Sequence, residues 1–213
     1  MYDSTSVITA NCVLGHKEYT PIGVVVYIHS SEHYVAYIKE YCTWVEYNDS
    51  RREVAPFEKV FSESEGNYMI LYELQDQSEI QKHSQRRSER HHKFESRGLV
   101  NHGKSCFLGA LLQCMRRYAF HWAINVGHDK GTMSTFARKF ALLLNEMSST
   151  GDTPIHIDSF RFALTEQCNM FPLNKAGDPN EAFLYIILAC KSDELTQLTV
   201  VHTTHETTCA TCQ

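Results

Sequence analysis

A change of hydrophobic period around residue 75 constrains this chain most. Before it, apolar residues come in short β-branched and aromatic runs: residues 22–28 (IGVVVYI), 33–39 (HYVAYIK), 43–48 (TWVEYN) and 67–74 (NYMILYEL). Runs of that length and type predict strands. The cluster Asn48-Asp49-Ser50 predicts a turn, and residues 56–61 a short helical turn. After residue 98 the spacing becomes three and four. Residues 106–120 place Phe107, Leu108, Leu111, Leu112 and Met115 on one helical stripe. Residues 132–147 repeat the pattern, with Thr132 or Ser134 as the cap, and residues 157–168 form a third candidate helix. Residues 178–191 carry the clearest helix start: Asp178 as cap, Pro179 at the first helical position and Glu181 completing a capping box. Strands first and helices second predict an α+β chain. An antiparallel sheet in residues 1–74 would pack on a helical subdomain in residues 98–213.

Between the halves, residues 75–97 (QDQSEIQKHSQRRSERHHKFESR) are polar and mixed in charge. They read as a solvated linker or an exposed helix. A basic patch at Arg86, Arg87 and Arg90 is diluted by Glu89 and Glu95. The net charge of −5 gives no basic field to attract phosphates, so nucleic acid is not an expected partner. No window approaches the roughly 20 apolar residues of a membrane span. The start, MYDSTSVITANC, lacks the pattern of a secretory leader, so a cytoplasmic or nuclear location is expected. In that setting eight cysteines are read as buried thiols, a nucleophile or metal ligands rather than a disulfide framework.

Cys106 stands where the apolar helix begins, after the flexible Asn101-His102-Gly103-Lys104-Ser105. A thiolate is favoured at a helix N-terminus and beside a histidine. A cysteine nucleophile also needs a base, a group to orient that base and a donor for the oxyanion. Composition cannot choose the base from 12 histidines; His29, His91, His92 and His121 have no supporting context. Cys114, eight residues on, reads as a buried thiol.

Gly98-Leu99-Val100-Asn101-x-Gly103-x-Ser105-Cys106-Phe107-Leu108, with Leu112-Gln113, resembles the Cys box of the ubiquitin-specific proteases. These are papain-like cysteine peptidases that remove ubiquitin. Residues 33–37 (HYVAY), followed by Trp44-x-x-Tyr47-Asn48-Asp49-Ser50, are similar to that family's His box, and residues 68–73 to its closing strand. Residues 178–184 (DPNEAFL) are similar to a further family helix. The resemblance implies a papain-like fold with Cys106 as nucleophile and His33 as base. It implies Asn48 as the orienting residue, with Asp49 as its substitute, and Asn101 as the oxyanion donor. No cofactor would be needed for catalysis. The partner would be ubiquitin or ubiquitinated proteins.

The chain departs from the family pattern at four points. Glu32 replaces a glycine before the histidine, Gly109 an asparagine three residues after the cysteine, and Gly177 a glutamine before Asp178. The His box precedes the Cys box, and the segment linking them in the family is missing. Two explanations are open: a circularly permuted domain joined through residues 75–97, which are long enough to span it, or the tail of one catalytic domain followed by the head of another. The complementarity of the halves favours the first. A catalytically inactive relative that binds ubiquitin or a partner is the alternative function. Near the end, Cys209 and Cys212 form a Cys-x-x-Cys resembling half of the family's zinc finger, and His202 and His205 could complete four structural zinc ligands.

Overall fold

A computed structural model describes residues 12–14, 17–60, 66–74, 97–128, 134–149 and 151–197. The predicted polar run, except for Arg97, and the tail with His202, His205, Cys209 and Cys212 lie outside the described residues.

The N-terminal half is an antiparallel sheet of six strands among the described residues: β1 (Cys12–Leu14), β2 (Lys17–Ile28), β3 (His33–Glu40), β4 (Thr43–Asn48), β5 (Arg51–Ala55) and β6 (Gly66–Leu74). The first five are neighbours in chain order, and β6 returns to pair with β2. A four-residue helix, α1 (Phe57–Val60), follows β5. The β2–β6 register shifts at Pro21/Gly23 and again at Val25/Val26. Proline has no N–H for the ladder, and irregular pairing is where a strand tolerates it.

Successive side chains of a strand point to opposite faces, and two cores follow from that alternation. Val24, Val26, Val35, Tyr37, Trp44 and Ala55 pack together on one face with Val60 of α1. Val25, Ala36, Ile38, Val45 and Tyr47 pack on the other. That second face receives Ala110 and Cys114 from α2 (Cys106–His128), so the helical half sits directly on the sheet. Gly23 allows the close approach: a Cβ there would lie 3.2 Å from Cys114 Sγ.

The rest of the C-terminal half packs around α2. It comprises α3 (Thr135–Met147), α4 (Asp158–Gln167), α5 (Pro179–Cys190) and α6 (Asp193–Gln197). Phe107, Leu108, Leu111, Leu112 and Met115, the predicted stripe, are buried in one cluster with Trp122, Phe140, Phe160 and Ile186. Burial of each such side chain stabilises the fold by about 1.5–3 kcal/mol. Ser134 caps α3 by accepting from the Ala137 amide at 3.1 Å. Asp178 caps α5 by accepting from the amides of Asn180 and Glu181 at 2.8 and 2.9 Å, with Pro179 at the helix start.

Several elements differ from the sequence expectation. α2 runs on past residue 120 to His128 because Trp122 and Ala123 extend its buried stripe. β5 was not expected: Arg51–Ala55 shows no apolar alternation and is mostly exposed, its place held by the ladder to β4 and by Arg52 Nη2 donating to Glu40 at 2.7 Å. A parallel pair, β7 (Leu99–Val100) and β8 (Ile155–His156), is too short to leave a pattern. Among the described residues no helix is long and apolar enough to cross a membrane.

Candidate active site

β3 and β4 pair from Glu40↔Thr43 to Ala36↔Tyr47, so the start of β3 and the end of β4 share one end of the hairpin. His33 opens β3 and Asn48 closes β4. His33 Nε2 lies 2.9 Å from Asn48 Oδ1 and 3.7 Å from Asp49 Oδ2. A carboxylate can only accept, and the amide oxygen accepts too, so Nε2 carries the proton. The lone pair of the neutral ring is then on Nδ1, which fits that atom to act as a base.

Asp49 has a left-handed backbone, φ 53°, at the turn into β5. Its short polar side chain tolerates that region better than most. The turn also receives the C-terminal half. Leu99 N donates to Asp49 O at 2.9 Å, and Asn101 Nδ2 donates to Asp49 Oδ2 at 3.2 Å. Gly98 passes directly over Ser50, where a Cβ would come 2.4 Å from the Ser50 carbonyl oxygen. Asn101 Oδ1 in turn accepts from Ser105 N at 3.2 Å and Ser105 Oγ at 2.7 Å. One chain of contacts thus runs from His33 through the Asn48–Asp49 turn and Asn101 to Ser105, the residue before Cys106.

Cys106 is the first residue of α2 and 8% exposed. The first N–H groups of a helix have no intrahelical acceptor and present partial positive charge there. Arg161, buried on α4, interacts electrostatically with Cys106. Its guanidinium donates to the backbone carbonyls of His102 (3.4 Å), Lys104 (3.1 Å) and Leu173 (2.6 Å), bracing the loop ahead of the thiol. Burial, and then the Asp158 and Cys106 charges pulling the other way, leave the Arg161 pKa below its usual value. Tyr34, the neighbour of His33, also feels Cys106. Its phenol is pushed up to about 12, first by burial and then by the charges of Asp178, Tyr27 and Cys106. Asp178 reaches back to the sheet by accepting from the Tyr68 hydroxyl.

No family model, curated protein or solved structure matches this chain.

Four of the sequence-derived candidates, His33, Asn48, Asp49 and Asn101, are joined by direct contacts. Cys106 begins its helix at the end of the same chain of contacts. Cys209 and Cys212 lie outside the described residues. Both polar atoms of the Asn101 amide are engaged, so an oxyanion would have to use the second proton of Nδ2. Glu32 is exposed and left-handed at φ 50°, a backbone that suits glycine better than glutamate. Gly109 faces open space, whereas a Cβ at Gly177 would come 2.7 Å from the Phe107 ring. Sequence reasoning missed Tyr34 and Arg161. The one hint of Arg161 was a cation set among the apolar residues Phe160, Ala163 and Leu164. It also missed His102, His156 and Asp158, whose ligand atoms lie within 4.8 Å of one another.

Proposed function

We propose that this chain is a cysteine-type deubiquitinase of papain-like design, with its His box ahead of its Cys box. The observation that carries this reading is the Asn48–Asp49 turn, which holds His33 on one side and Asn101 of the Cys box on the other. His33 Nδ1 takes the proton of the Cys106 thiol. The thiolate attacks the carbonyl carbon of ubiquitin's terminal glycine, and the oxyanion is held by amides at the start of α2 and the second proton of Asn101 Nδ2. The tetrahedral intermediate collapses, the amine leaves with the proton from His33, and a thioester remains. Water, deprotonated by His33, hydrolyses that thioester and restores the thiol. Asn48 orients the imidazole, and Asp49 adds the negative charge that Asn48 lacks. The start of α2 and the Arg161 guanidinium flank the sulfur with partial and full positive charge. The reaction needs no cofactor, and ubiquitin conjugates are the partner.

The core shared by Val25, Ile38 and Tyr47 with Ala110 and Cys114 supports a single permuted domain over two unrelated halves. A second reading, an inactive relative that binds ubiquitin, is favoured by the low exposure of Cys106.

The test is labelling with ubiquitin that carries a thiol-reactive electrophile at its C-terminus. One ubiquitin is expected to add to the native chain, and none to Cys106→Ala or His33→Ala. A folded native chain that takes no label, while still binding ubiquitin, would establish the second reading and remove the first.

A further inference from the structure

Outside the thiol site, three metal-ligating side chains converge on one point. His102 lies in the loop before Cys106, His156 in β8, and Asp158 at the first position of α4. His102 Nε2 and His156 Nδ1 are 3.1 Å apart, and each is 3.7 Å from Asp158 Oδ2. The equidistant point in the plane of these donors lies about 2.0 Å from each, the length of a zinc–nitrogen or zinc–oxygen bond, and a tetrahedral ion just above that plane needs the two longer edges to close by only a few tenths of an ångström. We propose that His102, His156 and Asp158 form a binding site for a divalent cation of the zinc class, which ties the loop before Cys106 to the start of α4.

The chemistry of the donors supports that ion. Two imidazoles and one carboxylate suit zinc and its late first-row neighbours; magnesium and calcium prefer sites made of oxygen. Three atoms able to donate a lone pair share one centre. At most one proton can sit between the two ring nitrogens, and the carboxylate oxygen only accepts. A cation at the centre would satisfy all three at once.

The backbone already holds the three residues in place. The parallel pairing Leu99↔Ile155 and Val100↔His156 brings the segment leading to His102 alongside His156. Arg161, three residues after Asp158, holds the His102 carbonyl at 3.4 Å. Binding therefore requires little new ordering of the chain. The side chains are 51, 65 and 56% exposed, which leaves one side of the ion open to water as a fourth ligand. The three side chains take no part in the proposed thiol chemistry, so either proposal can fail without the other.

The tail cysteines would compete for zinc, so the experiment uses the full chain carrying Cys209→Ser and Cys212→Ser. Zinc affinity is measured by competition with a chromophoric chelator, and cobalt is added in parallel to read the ligand type. One equivalent of zinc is expected, with a cobalt spectrum free of sulfur charge-transfer bands. Adding His156→Ala or Asp158→Asn should weaken zinc binding by more than about tenfold, since even the loss of an outer partner costs that much. His29→Ala, an exposed histidine elsewhere, should leave it unchanged. Circular dichroism checks that each variant is folded. If the tail-substituted chain takes up no zinc, or binds it equally well with His156→Ala and Asp158→Asn, the site does not exist.

Discussion

Asn101 Nδ2 donates to Asp49 Oδ2 at 3.2 Å, across 52 positions of chain, and so joins the loop before Cys106 to the turn that holds His33. The same carboxylate oxygen faces His33 Nε2 at 3.7 Å. Asp49 is therefore the residue through which the two halves of the candidate site are aligned.

That alignment has a measurable energy. In a double-mutant cycle of Asp49→Ala and Asn101→Ala, denaturant unfolding should give a coupling of about 0.5–3 kcal/mol, the range for residues in direct contact. Strict additivity would mean that the halves do not dock through this pair.

Three glycines should respond differently to alanine. Gly98→Ala drives a Cβ against the Ser50 backbone, and Gly177→Ala drives one into the Phe107 ring. Each should destabilise by about 1–3 kcal/mol or more. Gly109 lies within α2 and its Cβ would meet nothing within 4 Å. Gly109→Ala should raise stability by about 0.5–1 kcal/mol, because alanine loses less backbone freedom than glycine in a helix. Thermal melts of the three variants provide the comparison, and equal effects would refute the packing at Gly98.

The thiols should separate by reactivity. Burial pushes Cys114 and Cys190 up to about 12, so both are almost wholly protonated at neutral pH. Alkylation of the folded chain, read by peptide mass mapping, should spare them until denaturant is added. Cys42 is exposed and serves as the reference thiol. The proposed function requires Cys106 to react faster than Cys42; a slower Cys106 would count against catalysis.

Stability should fall in alkali. The Cys114 and Cys190 thiols and the Tyr34 phenol all have folded-state pKa values of about 12, above their ordinary values of 9.0 and 10.0. Between those limits the unfolded chain has released protons that the folded chain still holds, so unfolding becomes more favourable as pH rises. Their contribution is complete below about pH 9 and is lost progressively towards pH 12. Urea midpoints measured across that range should decline. Cys114→Ala and Cys190→Ala should each flatten the decline, and an unchanged slope would show that these thiols are accessible to water.

Local pattern was enough to anticipate much of the fold. The β-branched runs in β2, β3, β4 and β6, the apolar stripe of α2 and the Asp178-Pro179 start of α5 are governed by neighbours in sequence, and each formed near its expected position. β5 left no such trace because it is an exposed edge with no apolar face, and β7 and β8 are two residues each.

For the candidate site, the sequence by itself determined the residue types: a cysteine opening an amphipathic helix, a histidine opening a strand, and the Asn48-Asp49 turn that ends the next one. Which of them meet was decided by tertiary structure alone. His33 finds Asn48 through antiparallel pairing, Asp49 finds Asn101 because Gly98 lets the second half lie against Ser50, and His102 reaches His156 and Asp158 through a two-residue ladder. These are contacts between residues 15 to 56 positions apart. Hydrophobic period carries no information about such pairs; they follow from how the faces it defines are buried against one another.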